Sequence, residues 1–340
     1  MTATVSQLHP QAATRPASKR NEALDWTKGA LIVFMVIYHA INYSNTYRPV
    51  SFQYLDFLPP SFILITGFLV GQVYATKYDL NSWQPYVRLA IRGFKLLVLF
   101  TLLNLANNVV YEKSLYHGFW RMFDNGISIF VWGTGRVAIF EVLLPIAYFL
   151  LLAPLLLWLR AQVRTAVPIM TAVIMGLCLF LESRGIVSDN LILLSAGFLG
   201  MSLGLISFDR INRFASLWLP SILCYVGYQV SKKFFGGPYW IQMLGATTTL
   251  ALLYCLARHL KPGHLFQQFV QLGNYSLFAY LFQIALLQAA LRILGRPEQW
   301  ILIAGWIVAT LVLVWFAVVA LDCTRKRNKP VDGAYKLVFA

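Results

Sequence analysis

The sequence predicts an all-α membrane protein, a polytopic bundle of about ten transmembrane helices, on three observations. Hydrophobic residues make up 59% of the 340-residue chain and charged residues only 12%, a balance foreign to soluble domains. The apolar residues gather into segments close to the ~20 residues needed to cross a hydrocarbon core. Lys and Arg collect at the ends of those segments, mainly in the loops of one side. That placement accounts for the net charge of +15 without a basic soluble face, so the charge is read as membrane orientation and not as nucleic-acid binding.

Residues 1–22 are polar, rich in Ala, Thr, Ser and Pro, and end in Arg15, Lys19 and Arg20. They read as a disordered cytoplasmic tail. The apolar stretch that follows lacks a clean small-residue cleavage site and carries His39, so it reads as a retained first helix and not a signal peptide. Apolar segments recur near 26–44, 57–76, 88–110, 135–159, 166–182, 190–207, 213–231, 238–257, 271–292 and 299–322. They belong to one membrane-embedded unit, 23–323, with 324–340 as a basic C-terminal tail. With the N-terminus inside, 19 of the 28 Lys and Arg fall in cytoplasmic stretches, which predicts both termini in the cytoplasm. The longest outer loop, about 111–134, carries Tyr111, Tyr116, His117, Trp120, Arg121 and Asp124. Those residues suit interfacial anchoring, or contact with a sugar. No internal repeat is evident.

Cys178, Cys224, Cys255 and Cys323 show no paired spacing and read as small core residues. The five histidines likewise show no metal-site spacing, and no metal is expected.

Three groups stand out. Lys28 and His39 are eleven positions apart in the first helix, about three turns, so they share a face roughly 16 Å apart. A titratable ring that deep is either hydrogen-bonded within the bundle or functional. Asp25 lies one turn before Lys28, within reach of an ion pair. Arg88, Arg92 and Lys95 align at i, i+4 and i+7 at the start of the third segment. They read as an orientation anchor or, beside Lys28, as a phosphate clamp. Glu141 falls about a turn and a half into the expected fourth helix, four residues before Pro145, where a kink is expected. It either pairs with Arg136 or orients and charges His39. Gly67 and Gly71 give a small-xxx-small spacing explained by close helix packing. Asn104, Asn107 and Asn108 line a polar cavity or bond neighbouring helices.

These residues resemble acyltransferase family 3, the bacterial integral-membrane acyltransferases, and most nearly its periplasmic-glucan succinyltransferase-like branch. Lys28 and His39 after Leu24-Asp25 are similar to the family's first-helix pattern. Ser61 to Gly71 is similar to its second-helix run, with Thr66 where serine is usual. Arg88 and Arg92 match the arginine pair that opens the third helix. Leu272-Gly273-Asn274-Tyr275-Ser276-Leu277-Phe278-Ala279-Tyr280-Leu281 resembles its terminal motif. Two residues depart from the pattern: Lys28 stands where arginine is more frequent, and Gln283 where many members have histidine.

The resemblance implies a multi-pass protein of the bacterial inner membrane. It would move an acyl group, acetyl or succinyl, from cytoplasmic acyl-CoA to a hydroxyl of a cell-envelope glycan or glycolipid. No bound cofactor is implied, since acyl-CoA is a substrate. Lys28, Arg88 and Arg92 would hold its phosphates, His39 would act as general base, and Glu141 would support it. From a different class, the same cations and a His39 proton relay would serve a transporter or flippase of an anionic or lipid-linked molecule. The lack of internal repeats disfavours that reading. A catalytically silent sensor or scaffold is the third alternative.

Overall fold

Asn21 starts the first helix: its side-chain oxygen accepts from the Leu24 N–H at 3.2 Å, satisfying one of the donors a helix start leaves free. The same side chain donates to the Tyr254 hydroxyl, which donates in turn to Asn212 at 2.9 Å. The helix entrance is therefore tied to two distant parts of the chain. The computed structural model describes residues 21–44, 46–133 and 139–339, and every regular element among them is helical. In order these are α1 (Glu22–Asn42), α2 (Arg48–Leu55) and α3 (Leu58–Leu69), which continues as a π-helical turn over Val70–Tyr74. Next come α4 (Gln84–Glu112), α5 (Leu115–Asp124), α6 (Leu143–Gln162), α7 (Ala166–Ser183), α8 (Asp189–Leu203), α9 (Phe208–Ala215) and α10 (Trp218–Phe235). The last are α11 (Tyr239–His259), α12 (His264–Asn274), α13 (Ser276–Leu294), α14 (Trp300–Arg327) and α15 (Lys329–Phe339).

Among the described residues, eight helical stretches are long and apolar enough to cross a membrane, and nine if α8 and α9 count as one span bent by 101°. That is fewer than the ten expected. The expected segment 213–231 splits between the end of α9 and α10, and α10 closes on polar Gln229, Ser231, Lys232 and Lys233. The expected segment 271–292 is interrupted at Tyr275, between α12 and α13. Residues 324–339, expected as a basic tail, extend α14 by a turn and then form α15.

Two glycine-lined crossings set the bundle. On α3, Gly67 and Gly71 lie against the α8 backbone at Gly197, Met201 and Gly204, while Gly200 of α8 lies against the Leu64 carbonyl. A Cβ at Gly67, Gly71, Gly200 or Gly204 would overlap backbone atoms of the facing helix. The Gly67–Gly71 spacing thus does serve close packing. At the second crossing, Gly29 of α1 abuts the Phe269 carbonyl of α12, and Gly273 abuts the Asp25 carbonyl. Trp26 stacks on Phe269 beside it, ring centroids 5.1 Å apart.

α4 is built inside out. Ile91, Phe94, Val98 and Leu102 face outward, while Leu89, Gly93, Leu96, Phe100, Asn104 and Asn108 face inward. An apolar solvent on one side and the bundle interior on the other dictate that inversion. Asn104 uses both ends of its amide, donating to the Phe100 carbonyl at 3.0 Å and accepting from the Ile139 N–H at 2.8 Å. Asn107 accepts from Arg292 at 2.9 Å. Cys178 and Cys255 are buried, but Cys224 and Cys323 are exposed, which corrects the reading of all four as core residues. On a membrane helix the outward face is apolar as well, so an apolar run does not separate core from periphery.

Candidate active site

A cavity of about 290 Å³ opens between α1, α3, α4, α6 and α13. Lys28, Arg92 and Lys95 line it, together with Phe62, Thr66 and a mostly apolar wall that includes Val142 and Tyr280. Three cations from two helices thus share one cavity whose remaining lining is largely uncharged.

The local sequence explains how each is placed. Lys28 Nζ lies 2.6 Å from Asp25 Oδ1, one turn back on α1. Its helix is pressed against α12 at the Gly29–Gly273 crossing, so the backbone that carries Lys28 has no slack on that side. Arg92 donates to the Tyr74 hydroxyl at 2.9 Å, and Arg88 donates to the Tyr78 hydroxyl at 2.9 Å. Tyr74 and Tyr78 stack with centroids 5.1 Å apart and planes 13° off parallel. Tyr74 closes the π-helical turn, an irregularity that inserts a residue and re-aims the side chains after it. Arg88 does not line the cavity. Of the three cations assigned to donor phosphates from sequence, the structure brings Lys28 and Arg92 together, adds Lys95, and leaves Arg88 on the flank.

His39 lies toward the far end of α1, its ring edge-on to Tyr38 at 5.2 Å. Its Nε2 is enclosed and has no hydrogen-bond partner. The bundle therefore does not satisfy that nitrogen, and no hydrogen bond joins it to Glu141. Glu141 also sits elsewhere than expected: α6 begins at Leu143, so Glu141 occupies the turn before the helix, and Pro145 falls within the first helical turn. Proline is well tolerated there because no N–H is required of it. The kink expected at Glu141 is absent for that reason. Arg136, its alternative partner, lies outside the described residues. Glu141 does share an electrostatic neighbourhood with Tyr38 and Tyr280. Tyr280, at the cavity wall beside the Val142 backbone, is the link between cavity and carboxylate.

Sequence reasoning missed four things here: the Tyr74–Tyr78 pair, Tyr280, the Gly29–Gly273 crossing and the unsatisfied amide of Gln283. Gln283 is fully buried one turn beyond Tyr280, and neither its amide nitrogen nor its oxygen has a partner. Gly273 and Tyr280 lie in the terminal motif that was noted, but as packing residues they carried no chemical signal. No group of three or more His, Cys, Asp or Glu suited to a metal ion occurs among the described residues.

A family model described as an acyltransferase domain matches residues 21–322, which takes in all three cations that line the cavity. The chain belongs to acyltransferase family 3. No curated protein and no solved structure matches it. As a family 3 acyltransferase it is a membrane-helical enzyme that transfers acyl groups other than aminoacyl groups. Lys28, Arg92 and His39 all fall within the matched region.

Proposed function

We propose that this acyltransferase is an inner-membrane O-acyltransferase that takes an acetyl or succinyl group from cytoplasmic acyl-CoA and places it on a hydroxyl of a cell-envelope carbohydrate. The observation that carries the reading is that Lys28, Arg92 and Lys95 share one cavity whose remaining lining is uncharged and mostly apolar. A CoA donor has that polarity: multiply charged phosphates at one end and a slender, nearly neutral pantetheine arm leading to the thioester. Arginine suits the phosphates because its fork of donors matches their oxygens. In this reading the basic end of the bundle faces the cytoplasm.

His39 is the general base. An enclosed Nε2 with no partner is a poor structural feature, since a buried polar atom left unpaired costs about 1–3 kcal/mol. It is a good catalytic one if the acceptor hydroxyl supplies the missing partner. Nε2 takes the hydroxyl proton as the oxygen attacks the thioester carbon. The carbon–sulfur bond then breaks, and the departing thiolate takes the proton from the imidazolium. Glu141 supports the charge on the ring at longer range.

Acyl-CoA turnover by the purified protein and by His39→Ala tests this. The substitution should abolish transfer to a carbohydrate acceptor while leaving CoA binding within about twofold. Wild-type turnover by well-folded His39→Ala would remove the histidine from the mechanism. CoA-independent substrate movement across a vesicle would favour a transporter.

A further inference from the structure

The cavity that holds the three cations is lined in part by the C-terminal helix. Val338 and Phe339, the last turn of α15, line it alongside Lys28, Arg92 and Lys95. Lys95 Nζ reaches the Lys336 carbonyl at 3.5 Å. The C-terminal turn of a helix presents carbonyls without internal donors, and the macrodipole gives that end about half a negative charge. A partial anion therefore stands beside Lys95, in the cavity that Lys28 and Arg92 also line.

α15 is held by one stripe and one strap. Tyr335 and Phe339, at i and i+4, stack with centroids 4.8 Å apart. They meet Tyr275 and Phe278 of the α12–α13 corner at 5.6 and 6.1 Å. The strap is Arg325 at the end of α14: its guanidinium lies 3.8 Å over the Tyr335 ring and bonds to Asp332 at 2.6 Å. The hold is otherwise slight. No residue of α15 is fully buried, a Cβ on Gly333 would meet only open space, and Asn328 joins α14 to α15 through a single extended residue. Elements with few buried contacts are the ones that open at low cost.

We propose that α15 is a retractable stopper, an autoinhibitory segment that occupies the donor site through its carbonyl end and must swing out at Asn328 before acyl-CoA binds. The proposal rests on the donor reading of the cavity. Donor phosphates and α15 then compete for the same cations, and the Arg325–Asp332–Tyr335 strap sets how often the site is open.

Full-length protein in lipid nanodiscs allows two measurements with CoA as the probe. Titration of CoA into the double variant Tyr335→Ala, Phe339→Ala should show at least threefold tighter binding than wild type. Equal or weaker binding in a monodisperse double variant would make α15 a fixed wall and end the proposal. Hydrogen exchange of wild-type residues 329–339 should rise on adding saturating CoA, because the helix leaves its seat. Unchanged or slower exchange with CoA demonstrably bound would overturn the stopper and leave the donor site standing. If neither wild type nor double variant binds CoA, the donor reading itself falls, and the stopper falls with it.

Discussion

Gly29 and Gly273 face each other where α1 crosses α12, and the space a side chain on each would need is taken by the Phe269 carbonyl and the Asp25 carbonyl respectively. The contact lies one residue from Lys28 on α1 and two residues before Tyr275 at the end of α12. Helix packing and the cationic site are therefore fixed by the same few atoms.

Gly273→Ala should be severely destabilising, because its Cβ would overlap the Asp25 carbonyl. Overpacking of this kind costs about 1–3 kcal/mol or more. Gly67→Ala should behave alike against Gly197. Gly305→Ala is the control: nothing lies within 4 Å of its Cβ, and a helical glycine exchanged for alanine gains roughly 0.5–1 kcal/mol. Thermal unfolding in one detergent should rank Gly305→Ala at or above wild type and the other two well below.

Arg92 and Arg88 should part company. Arg92→Gln should weaken CoA binding tenfold or more, on the order of the 1.5–3 kcal/mol of a hydrogen bond to a charged group. Arg88→Gln should cost less than about threefold, since its side chain rests on Tyr78 outside the cavity. Equal losses on calorimetric titration would place both on the donor.

Gln283→Leu should raise the unfolding temperature. A fully buried amide with neither atom bonded gives way to an apolar group of similar size, and such an exchange recovers about 1–3 kcal/mol of unmet hydrogen bonding. A fall in stability would mean that a buried water already satisfies the amide.

The buried Lys232 and the half-buried Asp56 form an ion pair between α10 and the junction of α2 with α3, with the Tyr228 hydroxyl donating to Asp56 at 3.3 Å. Lys232→Met alone leaves an uncompensated carboxylate and should cost about 3–5 kcal/mol. The double variant Lys232→Met, Asp56→Asn should recover much of that loss. Chemical denaturation of the two singles and the double gives the coupling.

The strap on α15 has a defined pH response. The ammonium of Lys336 and the guanidinium of Arg325, both bonded to it, hold the Asp332 carboxyl below its usual range. A depressed carboxylate contributes in full above its unfolded value, about 3.9, and loses its contribution as pH falls through the folded one. The seat of α15 should therefore be constant from about pH 5 to 8 and loosen only in stronger acid. A spin label at Leu337→Cys, with Cys224 and Cys323 exchanged for serine, reports it: mobility should stay flat over that range. A rise near neutrality would assign the strap to another group.

The helical class and the Gly67–Gly71 packing were legible because membrane burial writes them as period and length. Lys28 with Arg92 was legible because both are cations at segment ends. Arg88 was misplaced because helical spacing gives direction around one axis but not the distance to a neighbouring helix. Glu141 was misplaced because an apolar run does not show where its helix begins, and Pro145 suits a first turn as well as a kink. α15 was hidden altogether: a short basic amphipathic segment looks like a tail until the aromatic residues that receive it are known.

The α3–α8 seam has a mechanical consequence. With carbonyls seated directly on glycines along two turns, these helices form a single stiff stave in which no side chain separates the two backbones at the points of contact. Phe62 and Thr66 ride on it and make one wall of the cavity. Whatever widens the chamber during a turnover cannot come from that wall. Any travel has to be taken up by the staves opposite, which leaves α3 and α8 as the fixed side of the chamber.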